Sequence, residues 1–155
     1  MNNEFLYSVA EKAISLLMKK NISISSAESC TGGMFSKTLT NFGGVSKIFE
    51  LGVVSYSNRI KSGILKVSSN TLDEFGAVSA ETASEMANCI RTLASSDIGI
   101  SVTGVAGPGR SEGKAPGTVF IALADNCTTI TQKLDIKPIS REYVRENAVI
   151  SMFEL

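Results

Sequence analysis

Glu28, Ser29 and Cys30 stand side by side, and each carries a group capable of acyl chemistry. Thr31-Gly32-Gly33 follows them, and a short β-type run, Ile22-Ser23-Ile24-Ser25, precedes them. A small polar cluster closed by two glycines at a strand-to-helix junction suits two tasks: presenting a side-chain nucleophile or cradling an anion. Ser29 and Cys30 compete for the first task. A thiolate is intrinsically the better nucleophile, but adjacent residues point in different directions, so only one can face a given base. Glu28 is a third candidate, as a general base or as a partner to a cation. The chain has no histidine. No Ser–His or Cys–His pair can form, and a lysine has to be considered as the base.

These residues need elements to hold them. Residues 4–19 repeat apolar side chains at helical spacing, with Leu6, Val9, Ala10, Ala13, Ile14 and Leu17 on one face. A strand is expected at 22–27, a helix at 32–40 and a strand at 51–56. Ser57 and Asn58 are suited to cap a short helix holding Lys61 and Ile64. Ser79-Ala80-Glu81 opens a longer helix to about 95, with a capping residue and early negative charge. A strand follows at 97–103, then a loop rich in Gly and Pro at 104–117. Two strands, 118–124 and 128–134, and a helix from about Ser140 close the chain. The alternation predicts a three-layer α/β/α sandwich with a mixed, largely parallel sheet of about five strands. Ligands in such sheets bind beyond the carboxyl ends of the strands. Parallel strands would bring the loops 28–33, 56–61 and 103–117 to one edge.

Composition narrows the classes. The 155 residues fit one ordinary domain, 1–155. Hydrophobic residues make up 43% and charged ones 19%, which excludes disorder. Fifteen Lys and Arg balance fifteen Asp and Glu, so the bulk charge does not favour nucleic acid or an anionic membrane. A phosphate-bearing small molecule needs only one or two local cations. The three cysteines, Cys30, Cys89 and Cys127, have no metal-ligand spacing. Without histidine no zinc site is expected, and free thiols suit a reducing cytoplasm. No stretch of 18 apolar residues occurs, so no membrane span is expected; no cofactor is expected either. Helical faces on a small α/β domain can pair, which leaves a homo-oligomer open.

Ala27-Glu28-Ser29-Cys30-Thr31-Gly32-Gly33, Gly52-Val53-Val54-Ser55-Tyr56-Ser57-Asn58, Gly76-Ala77-Val78-Ser79 and Thr103 to Pro108 occur in this order. Together they resemble the CinA C-terminal domain family, the nicotinamide-nucleotide amidases, over nearly the whole chain. Arg141 and Arg145 resemble the family's arginine-bearing last helix. One loop departs from the pattern: Lys114-Ala115-Pro116-Gly117 stands where the family commonly has Lys-Pro-Val-Gly.

The resemblance implies hydrolysis of the carboxamide of nicotinamide mononucleotide to nicotinic acid mononucleotide and ammonia. It implies Ser29 as nucleophile, Lys61 as base and Tyr56 as an assisting hydroxyl. On that footing a Tyr56 hydroxyl between Ser29 and Lys61 can relay a proton. Backbone N–H groups around Thr31, Gly32 and Gly33 can hold the oxyanion. Arg141 and Arg145, on one helical face, can grip a phosphate. Glu28, Cys30, Thr103 and Gly104 complete the expected substrate-binding set. The alternative is a non-catalytic module that binds a nucleotide or a partner protein. A degenerate module would be expected to have lost one of Ser29, Tyr56 and Lys61.

Overall fold

The computed structural model describes residues 3–155. Five strands form one sheet: β1 (Ile24–Glu28), β2 (Phe49–Val54), β3 (Ile98–Gly104), β4 (Thr118–Ala124) and β5 (Thr129–Asp135), in the order β2-β1-β3-β4-β5. β1 pairs in parallel with β2 and β3; β4 runs antiparallel to β3, and β5 antiparallel to β4. Four strands therefore share one direction and β4 alone is reversed. Six helices accompany the sheet: α1 (Asn3–Lys20), α2 (Met34–Thr40), α3 (Asn58–Gly63), α4 (Ser69–Phe75), α5 (Ala80–Ala94) and α6 (Arg141–Glu154). The short α4 and a 3-10 turn at Val45–Lys47 are additions to the elements expected from sequence. Ser57, Ser79 and Ser140 cap α3, α5 and α6, each side chain accepting a backbone N–H three residues on.

The alternation along β1 assigns the two faces. Ile24 joins the core formed with α1, α2 and α6, while Ala27 joins the core under α4 and α5. On β3 the same rule sends Ile100 and Val102 to the first core and turns Ser101 toward α5, where its hydroxyl donates to the Ala83 carbonyl. The α5 side is built from small residues, with Ala83 and Ala87 packing on Ala122 and Ala124. Gly99 extends this: a Cβ there would run into the Ala87 carbonyl. Small residues let α5 lie close over the middle of the sheet.

The register fixes the site's location. Glu28, the last residue of β1, is level with Val54 on β2 and Val102 on β3. The loops after all three strands leave from one edge of the sheet. Among the described residues no helix is long and apolar enough to cross a membrane.

Candidate active site

Ser29 is fixed by its own backbone. Its N–H donates to the Val102 carbonyl at 3.0 Å, and the Ser55 N–H donates to the Glu28 carbonyl at 2.8 Å. These bonds carry the sheet ladder one residue past the formal strand ends. Alternation along β1 then points the Glu28 side chain toward α2 and the Ser29 side chain the other way.

Ser29 meets Lys61 there. The Lys61 Nζ lies 3.1 Å from Ser29 Oγ and 2.7 Å from the Ser55 carbonyl oxygen. Lys61 is 1% exposed, although lysine is a residue almost never fully buried. No carboxylate is bonded to it. Burial disfavours the ammonium and holds the amine below the ordinary lysine range, against weaker opposing pulls from Cys30 and Glu112. An amine with a lowered pKa in contact with a serine hydroxyl can accept that hydroxyl's proton.

The neighbouring thiol is in the opposite condition. Cys30 is buried, and that burial pushes its pKa up to about 12, with the Glu28 charge adding to the rise. It stays a neutral thiol at physiological pH. The structure thus weighs against Cys30 as nucleophile, because thiolate is the reactive form.

Glu28 is neither a base nor a partner of Lys61. Its carboxylate is wholly buried and accepts five hydrogen bonds. Oε2 receives the Thr31 hydroxyl at 2.7 Å and the N–H groups of Gly33 and Phe35; Oε1 receives the N–H and the hydroxyl of Ser36. Gly33 has φ 94° and caps α2 without any side chain, and Gly32 has φ 60°. The carboxylate of Glu28 therefore takes the place of an N-cap residue. This corrects two expectations. Glu28 does not contact substrate space, and the Gly33 N–H at the α2 start is not free for an oxyanion. The Gly32 N–H is likewise engaged, donating to the Ser29 carbonyl.

A cavity of about 260 Å³ opens over Ser29 and Lys61. Of the residues singled out from sequence, Cys30, Tyr56, Thr103, Gly104 and Arg141 line it; Asn58, Ala77, Val78, Ser111 and Glu112 are further wall residues that sequence reasoning missed. Thr103 presents no free hydroxyl donor, since its Oγ1–H is committed to the Ala77 carbonyl at 2.6 Å. Glu28, Thr31, Gly32, Gly33 and Arg145 are not on the wall.

Tyr56 is placed differently from the expected relay. It is 62% exposed, and its hydroxyl accepts from Arg141 Nη2 at 2.8 Å. Ser29 and Lys61 touch directly, so no hydroxyl stands between them. Arg141 also donates to the Gly107 carbonyl at 2.6 Å, joining α6 to the β2 end and the loop after β3. Arg145 does not stand beside it as a second phosphate grip. Nε and Nη2 donate to the Thr31 carbonyl, and Nη1 pairs with Glu142 at 3.1 Å. Among the described residues no group of His, Cys, Asp and Glu is arranged to hold a metal.

A family model described as the CinA C-terminal domain matches residues 6–155. A competence-damage inducible protein of Caldanaerobacter subterraneus is 42% identical over 158 residues, covering 98% of this chain and 38% of that protein. One of Bacillus subtilis is 52% identical over 128 residues, covering 79% of this chain and 31% of that protein. The chain thus spans less than half the length of these relatives. Among solved structures, the competence/damage inducible protein CihA from Agrobacterium tumefaciens is 32% identical with a TM-score of 0.92, covering 97% of this chain and 92% of that one. A competence or damage-inducible protein from Enterobacter asburiae is 34% identical with a TM-score of 0.92, covering 96% and 94%.

Proposed function

Because the chain belongs to the CinA C-terminal domain family, we propose that it hydrolyses the carboxamide of nicotinamide mononucleotide, releasing nicotinic acid mononucleotide and ammonia. The observation that carries this reading is the contact between Lys61 Nζ and Ser29 Oγ at 3.1 Å, in a chain without histidine.

The neutral Lys61 amine takes the proton from Ser29 as Oγ attacks the carboxamide carbon. The tetrahedral adduct carries its charge on the former carbonyl oxygen. The Gly33 and Gly32 N–H groups are spent on Glu28 and Ser29, so they are not the donors for that oxygen. Lys61, now an ammonium, returns its proton to the amide nitrogen. The C–N bond breaks and ammonia leaves an acyl-serine. A water then gives a proton to Lys61 and attacks the ester carbon. Collapse breaks the ester bond and returns the proton to Ser29, leaving the acid. The Ser55 carbonyl accepts a Lys61 N–H and so aims the amine lone pair at Ser29. Arg141 supplies the cation for the nucleotide phosphate, and its bonds to Tyr56 and Gly107 hold the guanidinium in the cavity wall. Tyr56 serves by orienting Arg141.

Ammonia release from nicotinamide mononucleotide by purified protein tests the reading. Ser29→Ala should reduce turnover at least a thousandfold with the fold retained, whereas Cys30→Ala should keep most of it. No ammonia from the native protein would leave the non-catalytic module as the better account, and a dead Cys30→Ala with an active Ser29→Ala would transfer the nucleophile to the thiol.

A further inference from the structure

Glu112 is the one acidic side chain among the described residues that line the cavity, whose basic side chains are Lys61 and Arg141. It belongs to the loop between β3 and β4, close to the stretch where the sequence departs from the family's usual pattern.

Its position is fixed rather than incidental. Oε1 accepts the Ala77 N–H and Oε2 the Val78 N–H, both at 3.1 Å, just ahead of the cap of α5. Gly76 makes room for it: a Cβ on that residue would lie 2.5 Å from Glu112 Oε2. Glu112 itself sits at φ 49°, a left-handed conformation that a residue with a side chain adopts only at a cost. Backbone, neighbour and hydrogen bonds together hold a negative charge in the wall.

The proposed reaction turns a neutral amide into an anion. That anion forms beside Ser29 and the Lys61 amine, and Arg141 places a positive charge in the same wall. Such a site would retain its product. We propose that Glu112 is the specificity residue of this cavity, a fixed carboxylate that favours the neutral amide over the acid and so promotes product release. The inference rests on the amidase reading of the site. Both nucleotides carry the same phosphate, so its interaction with Glu112 cancels when the two are compared. Lys61 is faced by Cys30, Tyr56, Glu112 and Arg141 across the cavity, with Glu28 on the other side of β1. Burial dominates the Lys61 pKa and lowers it, and the Glu112 charge opposes that lowering, consistent with a Glu112 charge felt at the reacting end.

Calorimetric binding of nicotinamide mononucleotide and nicotinic acid mononucleotide, each to Ser29→Ala so that no amide is consumed, tests it. Adding Glu112→Gln should tighten the acid roughly twofold to tenfold and leave the amide within about twofold, the scale of one part-screened like-charge contact. Adding Glu112→Asp, which keeps the charge while shortening the reach to Ala77 and Val78, should keep the native preference. Both nucleotides binding with an unchanged ratio in Glu112→Gln would overturn this inference alone, as would Glu112→Asp behaving like Glu112→Gln. If neither nucleotide binds, the amidase reading fails and this inference falls with it.

Discussion

Lys61 is buried to 1% exposure with a serine hydroxyl and a carbonyl oxygen as its bonded partners. Its pH behaviour follows from the sign of its shift. The folded pKa lies below the ordinary 10.5 because burial penalises the charge. The unfolded chain therefore binds this proton more tightly. The native state gains stability as pH rises through the folded value, and the gain is complete above the unfolded one. Activity should follow the neutral amine: kcat/KM rises with pH along one ionisation whose midpoint lies below 10.5, as a pH–rate series would record. Lys61→Arg should be inactive across that range, because guanidinium does not release its proton. At this scale residue type and spacing left Ser29 and Cys30 as rivals and asked only for some lysine; the family resemblance singled out Ser29 and Lys61, which the fold brings into contact. The sequence was uninformative about Glu28 and Tyr56. A carboxylate at a strand end reads equally well as base, ligand or cap, and only the fold reveals that five donors converge on it. The Tyr56 hydroxyl is bonded to Arg141, a partner 85 residues away that no local pattern reveals.

The junction of β1 and α2 shows how one side chain can define an element. α2 is 7 residues long and begins at a glycine with no side chain to cap it. Its leading N–H groups end on Glu28, and Ser36 joins that network to Ser26 through a 2.9 Å hydroxyl contact. Gly52 on β2 leaves space for this: a Cβ there would lie 2.7 Å from Ser36 Oγ. Glu28→Ala would leave three backbone donors and two hydroxyls without their acceptor. With hydrogen bonds to a charged group contributing about 1.5–3 kcal/mol each, and partial relaxation of the site, the loss should reach at least about 3 kcal/mol. Denaturant unfolding of the variant would measure it; a loss under about 1 kcal/mol would show that water replaces the carboxylate. The strands and longer helices were legible from apolar periodicity and capping serines. α4 was not, because Ser69–Phe75 is a single short run with only Leu72 buried.

Across the whole molecule, the parallel order β2-β1-β3 gathers the three strand-end loops at one edge. That convergence was predictable from the alternation of elements. The wall residues Ala77, Val78 and Glu112 were not, since they meet across 34 or 35 residues of chain through backbone N–H groups that no side-chain pattern advertises. The same view yields an expectation about metals. The chain has no histidine, and no group of Cys, Asp and Glu among the described residues is arranged as a ligand set. Ammonia release should therefore persist after exhaustive dialysis against chelator. A loss restored by a divalent ion would overturn this expectation and point to a carboxylate site for the metal.

Arg141 ties the cavity to distant stretches of chain. Its guanidinium reaches back 34 residues to Gly107 and 85 to Tyr56, while Arg145 reaches back 114 to Thr31. Ser29 and Lys61 are 32 residues apart, yet Ser29 is held by the Val102 carbonyl on β3, so the pair also depends on non-local pairing. Closing loops of such length costs entropy before the contacts repay it. The pair and its wall should therefore assemble together and late in folding, so that a partly folded chain carries no half-built site.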